Sequence, residues 1–175
     1  FIRAGHFGFF KGRAIHTLRH THARPSDAPS PFFLPPARQQ GGWLLAGSLF
    51  LRRRHDHKLV NRGVLFAPDG QIIASYDKIH MFDIILKNGE SYKESDFYTS
   101  GSELKMTTVL GQSIGHSICY DLRYPKLYRA LAKKGAGIIV IPSAFTYTTG
   151  KAHWHSLIKA RAIENGVFIL APNQW

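Results

Sequence analysis

A chain of 175 residues and 19.7 kDa has room for one ordinary domain, and its 44% of hydrophobic residues excludes a disordered composition. A single cysteine, Cys119, excludes an internal disulfide and points to a reducing cytoplasm. The net charge of +12 would suit a polyanion partner, but residues 1–57 carry +7 of it and the rest of the chain only +5.

The chain opens on Phe1 rather than Met, which predicts a true start further upstream. Arg3, His6, Lys11 and Arg13 interrupt any apolar core of a signal peptide. From Phe1 to Gln40 no period of 2 or 3.6 emerges, and PSDAPSPFFLPP (25–36) is rich in breakers. No glutamate precedes Glu90. Such an Arg/His/Pro-rich, acid-poor run resembles translation in a shifted reading frame; a genuine basic arm is the alternative. The expected division is therefore an atypical segment, 1–40, and a patterned domain, 41–175. Aromatics are scattered among the bases of residues 1–57 without forming a nucleic-acid module, so nucleic acid is not an expected partner. No stretch approaches the roughly 20 apolar residues that span a bilayer, so no membrane is expected either.

Patterning becomes crisp at Trp43. WLLAGSLF (43–50) reads as a buried strand, and Leu59–Ala67 and Gln71–Lys78 read as a hairpin turning at Pro68-Asp69-Gly70. Met106–Val109 and Ser113–Ile118 read as strands joined across Gly111. Pro125–Lys134 places Leu127, Tyr128, Leu131 and Ala132 on one helical face and stops at Gly135. IIVI (138–141) is another buried strand. A helix is expected over Trp154–Glu164, ending near Gly166, followed by a last strand, Val167–Ala171. Alternating strands and helices in the second half give an α/β class. The chain stops at Trp175 with no helix after that strand, so the domain is expected to be cut short.

Cys119 closes GQSIGHSICYDLRYP, where an apolar strand gives way to a Pro-started helix. A thiol at such a turn is held rigidly, and a helix N-terminus favours its thiolate. A lone cysteine there is also compatible with a small buried hydrophobe. Lys78, at the end of a strand, is either a solvated edge residue or the cation that holds a thiolate and an oxyanion; spacing leaves both open.

YDKIHMFD (76–83), ICYDLRYP (118–125), PSAFTYTTGKAHWHSLIKARAIEN (142–165) and the closing AP-x-Q (171–174) resemble successive motifs of the nitrilase superfamily of carbon–nitrogen hydrolases. Within it they are most similar to the Nit-type amidases, the branch that contains deaminated glutathione amidase and omega-amidase. The resemblance runs from about Trp43 to Gln174. It implies a nitrilase-type α-β-β-α sandwich, incomplete at both ends, and a Glu–Lys–Cys triad. Motif by motif, Cys119 takes the place of the nucleophile, Lys78 that of the lysine, and Glu94 that of a second glutamate that orients the lysine. The backbone N–H of Tyr120 would join Lys78 in the oxyanion hole. Arg123 and the loop Ser143, Ala144, Phe145 and Thr146 would line the substrate pocket, although Arg123 equally suits a structural ion pair. His153 and His155 are expected to be helix-start and surface residues rather than metal ligands, and Glu164 to be structural. The implied partner is a small-molecule amide, with no cofactor and no metal, and pairing through helices makes a homodimer an expectation.

The family supplies its general base from a Pro-Glu about seventy residues before the lysine, and counting back from Lys78 lands near Phe9, where neither stands. The expected function is amide hydrolysis through a Cys thioester, impaired by that loss. The alternative is a catalytically silent homologue that binds a ligand or partner. Missing cover for the sheet further predicts poor solubility.

Overall fold

The computed structural model describes residues 41–173 apart from Arg54, residues 86–88 and Glu90. The segment 1–40, with its reading as a shifted frame, and Gln174 lie outside the described residues.

The three strands expected after Trp43 form as β1 (Leu44–Arg52), β2 (Leu59–Phe66) and β3 (Ile72–Asp77), an antiparallel sheet in that order. Gly70 supplies the positive φ (83°) that the β2–β3 turn requires. Arg62 and Asp77 are partners in the ladder and are joined by two hydrogen bonds, 2.6 and 2.9 Å, just before the chain reaches Lys78. A small hairpin follows, β4 (Asp83–Ile85) with β5 (Ser91–Lys93), then a 3₁₀ turn over Glu94–Asp96. That hairpin was not legible, because three-residue strands carry too little alternation to register.

The second sheet contains β6 (Met106–Val109), β7 (Gln112–His116), β8 (Ile138–Val140) and β9 (Phe168–Leu170), in that order. β6 and β7 are antiparallel; β7, β8 and β9 are parallel and are linked by α1 (Pro125–Lys133) and α2 (Tyr147–Asn165). Helix α1 starts with Pro at its first turn, as expected, and buries Leu127, Tyr128 and Leu131.

Helix α2 corrects the expectation of a start at Trp154: it begins seven residues earlier, at Tyr147. The added turns, with Thr148, Thr149 and Gly150, have low helix propensity and hide the element from a sequence reading. Packing overrides propensity here. Gly150 is buried and closes the first turn onto the Thr146 carbonyl (2.8 Å), while Trp154 packs on Phe145 with ring centroids 4.8 Å apart. Gly166, in the left-handed conformation, ends the helix where expected.

Alternation of side chains along the strands sorts the core into layers. Ile139 and Ile141 face α1 and α2, with Leu122, Leu131, Trp154 and Val167. Ile114 and Val140 face the other way and pack with Leu65 and Ala74 of the first sheet. That sheet's far side carries Ala46, Leu51, Val64 and Phe66. Helices, sheet and sheet are thus stacked in three layers among the described residues. None of their helices is long and apolar enough to cross a membrane.

Gly101 fixes the end of β3. Its N–H donates to the Lys78 carbonyl (2.8 Å), and a Cβ added to it would sit 2.3 Å from the Asp77 carbonyl oxygen. Gly101→Ala should therefore cost about 1–3 kcal/mol of stability. Gly137→Ala, whose Cβ would meet nothing within 4 Å, should stay within about 0.5 kcal/mol of the parent. Urea unfolding measures both, and equal midpoints for the two variants would contradict the close approach.

Candidate active site

Lys78 leaves β3 with its backbone fixed on both sides: its N–H donates to the Asn61 carbonyl and its carbonyl accepts from Gly101, each at 2.8 Å. Its side chain is only 3% exposed and forms an ion pair, Nζ to Glu94 Oε2, at 2.5 Å. Glu94 stands where the small hairpin turns into the 3₁₀ segment. The same Oε2 accepts the Phe82 N–H (2.7 Å), and Oε1 accepts Asn61 Nδ2 (3.0 Å). The carboxylate thus holds donors from three separate segments, and the ammonium cannot turn away without leaving it unpaired. Of the two readings open for Lys78, the geometry excludes the solvated edge residue.

Cys119 lies just beyond β7. Its N–H donates to the Pro142 carbonyl (3.0 Å), and its φ is +47°, a left-handed backbone that is uncommon outside glycine. The expectation that a helix N-terminus favours the thiolate is corrected. The helix begins at Pro125, as expected, but a 3₁₀ turn over Cys119–Arg123 separates it from the thiol. The helix dipole is therefore not what sets the thiol's acidity. Burial pushes the thiol pKa up, the Lys78 charge and the Ala144 backbone N–H pull it down, and Glu94 and Asp121 push it up again. Burial wins.

The remaining expected residues gather around this turn, with different surroundings. Arg123 sits 5.8 Å over the Tyr120 ring and 5.6 Å over that of Phe145, and its Nη2 lies 3.2 Å from His153 Nδ1. Among the described residues it forms no ion pair, so the structural alternative for Arg123 finds no support. Ser143 pairs as a short parallel bridge with Asn173, and its Oγ donates to the Ile141 carbonyl (3.1 Å). Ala144 is exposed, whereas Phe145 is buried in the core against Trp154. Phe145 N–H donates to Asn173 Oδ1 (3.0 Å). Thr146 caps α2 without a side-chain bond to its backbone, and its hydroxyl lies 2.6 Å from that of Thr149. His153 and His155 are both exposed, on α2. Glu164 pairs with the buried Arg161 (3.0 Å), whose Nε donates to the Leu122 carbonyl (3.0 Å) and so ties α2 to the turn after Cys119. Among the described residues no three His, Cys, Asp or Glu side chains gather as a metal site.

Three residues at this centre escaped the sequence reading. Asn61 donates to Glu94 and keeps its own buried Oδ1 without a hydrogen-bond partner. Asp121 is fully buried, and His80 is bonded to it. A signal for the last two existed: each lies two residues after a candidate, His80 after Lys78 and Asp121 after Cys119, inside an apolar stretch where a polar residue calls for an explanation.

A model of the family described as "Carbon-nitrogen hydrolase" matches residues 32–175. The deaminated glutathione amidase of Yersinia enterocolitica is 44% identical over 140 residues, which make up 79% of this chain and 49% of the relative. The omega-amidase NIT3 of Saccharomyces cerevisiae is 37% identical over 113 residues, 65% of this chain and 39% of the relative. The crystal structure of S. cerevisiae Nit3, of branch 10 of the nitrilase superfamily, superposes with a TM-score of 0.73 at 29% identity, covering 85% of this chain and 52% of that one. The Caenorhabditis elegans NitFhit structure gives 0.72 at 37% identity, covering 79% and 34%. The chain thus spans about half the length of the curated relatives it matches. These matches agree with the sandwich architecture expected from the sequence.

Since Cys119 is the sole cysteine, alkylation by iodoacetamide reports on this thiol alone. The reaction should reach half its limiting rate above pH 9.0, the ordinary thiol value, because burial raises the pKa. Lys78→Met removes the pull downward and leaves Glu94 pushing upward, so the midpoint should rise further, with alkylation at pH 7 about tenfold slower for each unit gained. A midpoint that falls or stays still in Lys78→Met would show that the ammonium does not act on the thiol.

Proposed function

The chain belongs to the carbon–nitrogen hydrolase family, and from that premise we propose that it acts on linear amide C–N bonds through a thioester on Cys119. The observation that carries this reading is the buried Lys78–Glu94 ion pair, whose charges both reach the Cys119 thiol. An ammonium held at 3% exposure by a carboxylate with two further donors is a fixed positive charge, placed before any substrate arrives.

In the proposed reaction the Cys119 thiolate attacks the amide carbon, and the carbonyl π pair moves onto oxygen. That oxyanion lies between Lys78 Nζ and the backbone N–H of Tyr120. The C–N bond then breaks, the nitrogen takes the proton given up by the Cys119 thiol and leaves as ammonia, and the acyl group stays on sulfur. Water adds to the thioester, the C–S bond breaks, and the carboxylic acid and the thiol are released. Glu94 acts by holding Lys78. The raised thiol pKa means that a substrate meets mostly the neutral thiol, so deprotonation and attack must be concerted with a base.

Arg123, with the Ser143–Thr146 loop beside it, would receive a carboxylate on the acyl side of the substrate. Its guanidinium has no carboxylate of the described chain, is spread over Tyr120 and Phe145, and lies four residues from the thiol along the chain. The substrate class is accordingly the ω-amide of a small acid, in keeping with the names of the amidases to which the chain is similar. The glutamate expected as base before Lys78 is missing from the sequence, in which Glu90 is the first. We therefore infer that turnover by this chain is reduced, by roughly the 10²–10⁴-fold that a positioned base contributes. That same absence favours the second reading, a catalytically silent homologue that binds the amide without cleaving it.

A panel of dicarboxylic acid monoamides should give slow ammonia release together with an acyl adduct on Cys119 in intact-mass spectra. Cys119→Ala should abolish both, and Arg123→Leu should raise KM by about tenfold or more while changing kcat far less, since an interaction present in both ground and transition states is lost. Ammonia release that survives Cys119→Ala would sink the proposal. Saturable binding with neither ammonia nor adduct would favour the silent homologue.

A further inference from the structure

Asp121 is fully buried, with 0% exposure, yet it carries a carboxylate. Such a group is costly unless donors surround it. Its Oδ2 accepts from Tyr76 Oη (2.7 Å) and from the Ile118 N–H (2.9 Å). Its Oδ1 accepts from the His80 N–H (3.0 Å) and faces His80 Nδ1 at 2.7 Å. A carboxylate can only accept, so Nδ1 carries the hydrogen. The His80 ring is held in turn by stacking on Tyr124, centroids 3.6 Å apart and planes 13° from parallel.

The positions of these donors in the chain are the point. Tyr76 and His80 stand two residues before and two residues after Lys78, on the segment that delivers the ammonium. Ile118 immediately precedes Cys119, and Asp121 follows it by two. A single carboxylate thus grips both segments that meet at the reacting centre, at both flanks of each. Apart from it, the Lys78 segment is fixed by Asn61 and Gly101, and the Cys119 turn by Pro142; those bonds run to other segments and do not link the two to each other.

We propose that Asp121 and His80 are a positioning pair, which sets the register between the lysine segment and the cysteine turn and so keeps the Lys78 ammonium over the Cys119 thiol. Neither is a catalytic residue: His80 acts through Asp121, and Asp121 through the two backbones it joins. The clamp also accounts for the left-handed backbone at Cys119. Ile118 N–H and Asp121 Oδ2 close a tight loop around that residue, and the Asp121 N–H returns to the Ile118 carbonyl (3.0 Å), so the strained φ is held by these two residues rather than by the thiol. The inference rests on the reading of Cys119 as nucleophile, but it concerns geometry and can be tested without turnover.

Among the described residues, the titratable groups whose charges act with the thiol are Lys78, Glu94, Asp121 and Tyr128. The test is a thermodynamic cycle on the pH midpoint of Cys119 alkylation in the full chain. His80→Phe keeps the stack on Tyr124 and removes the ring donor, whereas His80→Asn keeps a donor. Each is made in the parent and in a Lys78→Met/Glu94→Gln background, which removes both charges of that pair together. In the parent, His80→Phe should move the midpoint up by about one unit, slowing alkylation at pH 7 about tenfold, while the variant, though less stable, keeps a cooperative melt. His80→Asn should restore most of the rate. Without the Lys78–Glu94 pair, His80→Phe should move the midpoint far less, because the charge it misplaces is gone. An unmoved midpoint in His80→Phe, or the same shift in both backgrounds, would overturn the proposal; the latter would mean that His80 acts on the thiol directly. Failure of the amidase reading would show instead as absence of the Cys119 acyl adduct, with the thiol titration unaffected.

Discussion

An ammonium taken out of water needs a partner charge, and much of the described chain is arranged around that requirement at Lys78. Removing one member of such a buried pair typically costs about 3–5 kcal/mol, because the other is left uncompensated. Glu94 answers the demand, but a carboxylate brought in by a three-residue strand and a 3₁₀ turn would be loose by itself. Asn61 on β2 and the Phe82 backbone fix it. The β2–β3 ladder, the small hairpin and the Gly101 approach are all accounted for by this one pair: each places a donor, the acceptor, or the backbone that carries the lysine.

The same burial that makes the charge effective works against a thiolate at Cys119. Desolvation penalises a thiolate as it penalises any ion, and at Cys119 it outweighs the nearby lysine. In the proposed reaction the lysine is therefore better suited to stabilising charge that develops on a substrate oxygen than to storing a thiolate in the resting protein.

Much of this was legible because the pattern of buried and turn residues is strong. WLLAGSLF, the Pro-Asp-Gly turn and IIVI each carry an unambiguous period or breaker, and their strands lie within two residues of the expected bounds. Where tertiary contact decides, the sequence is silent. The first turns of α2 are held by Gly150 and Trp154 against the core rather than by propensity. The candidates Cys119, Lys78 and Glu94 came from motif resemblance, and the structure brings them together. What motif matching missed was the support around them: Asn61, His80 and Asp121 are polar residues whose task is to hold other polar residues, which nothing announces for Asn61 and only a polar residue inside an apolar stretch hints at for the other two.

The left-handed backbone at Cys119 restricts the site's future as well as its present. At φ +47° a side chain branched at Cβ meets the neighbouring carbonyl, while an unbranched one is tolerated. Serine and alanine fit the position as cysteine does, whereas threonine and valine are strained there. An exchange of sulfur for oxygen at this turn is therefore least disruptive as a primary hydroxyl, and the main chain disfavours a secondary one before its reactivity is ever tried.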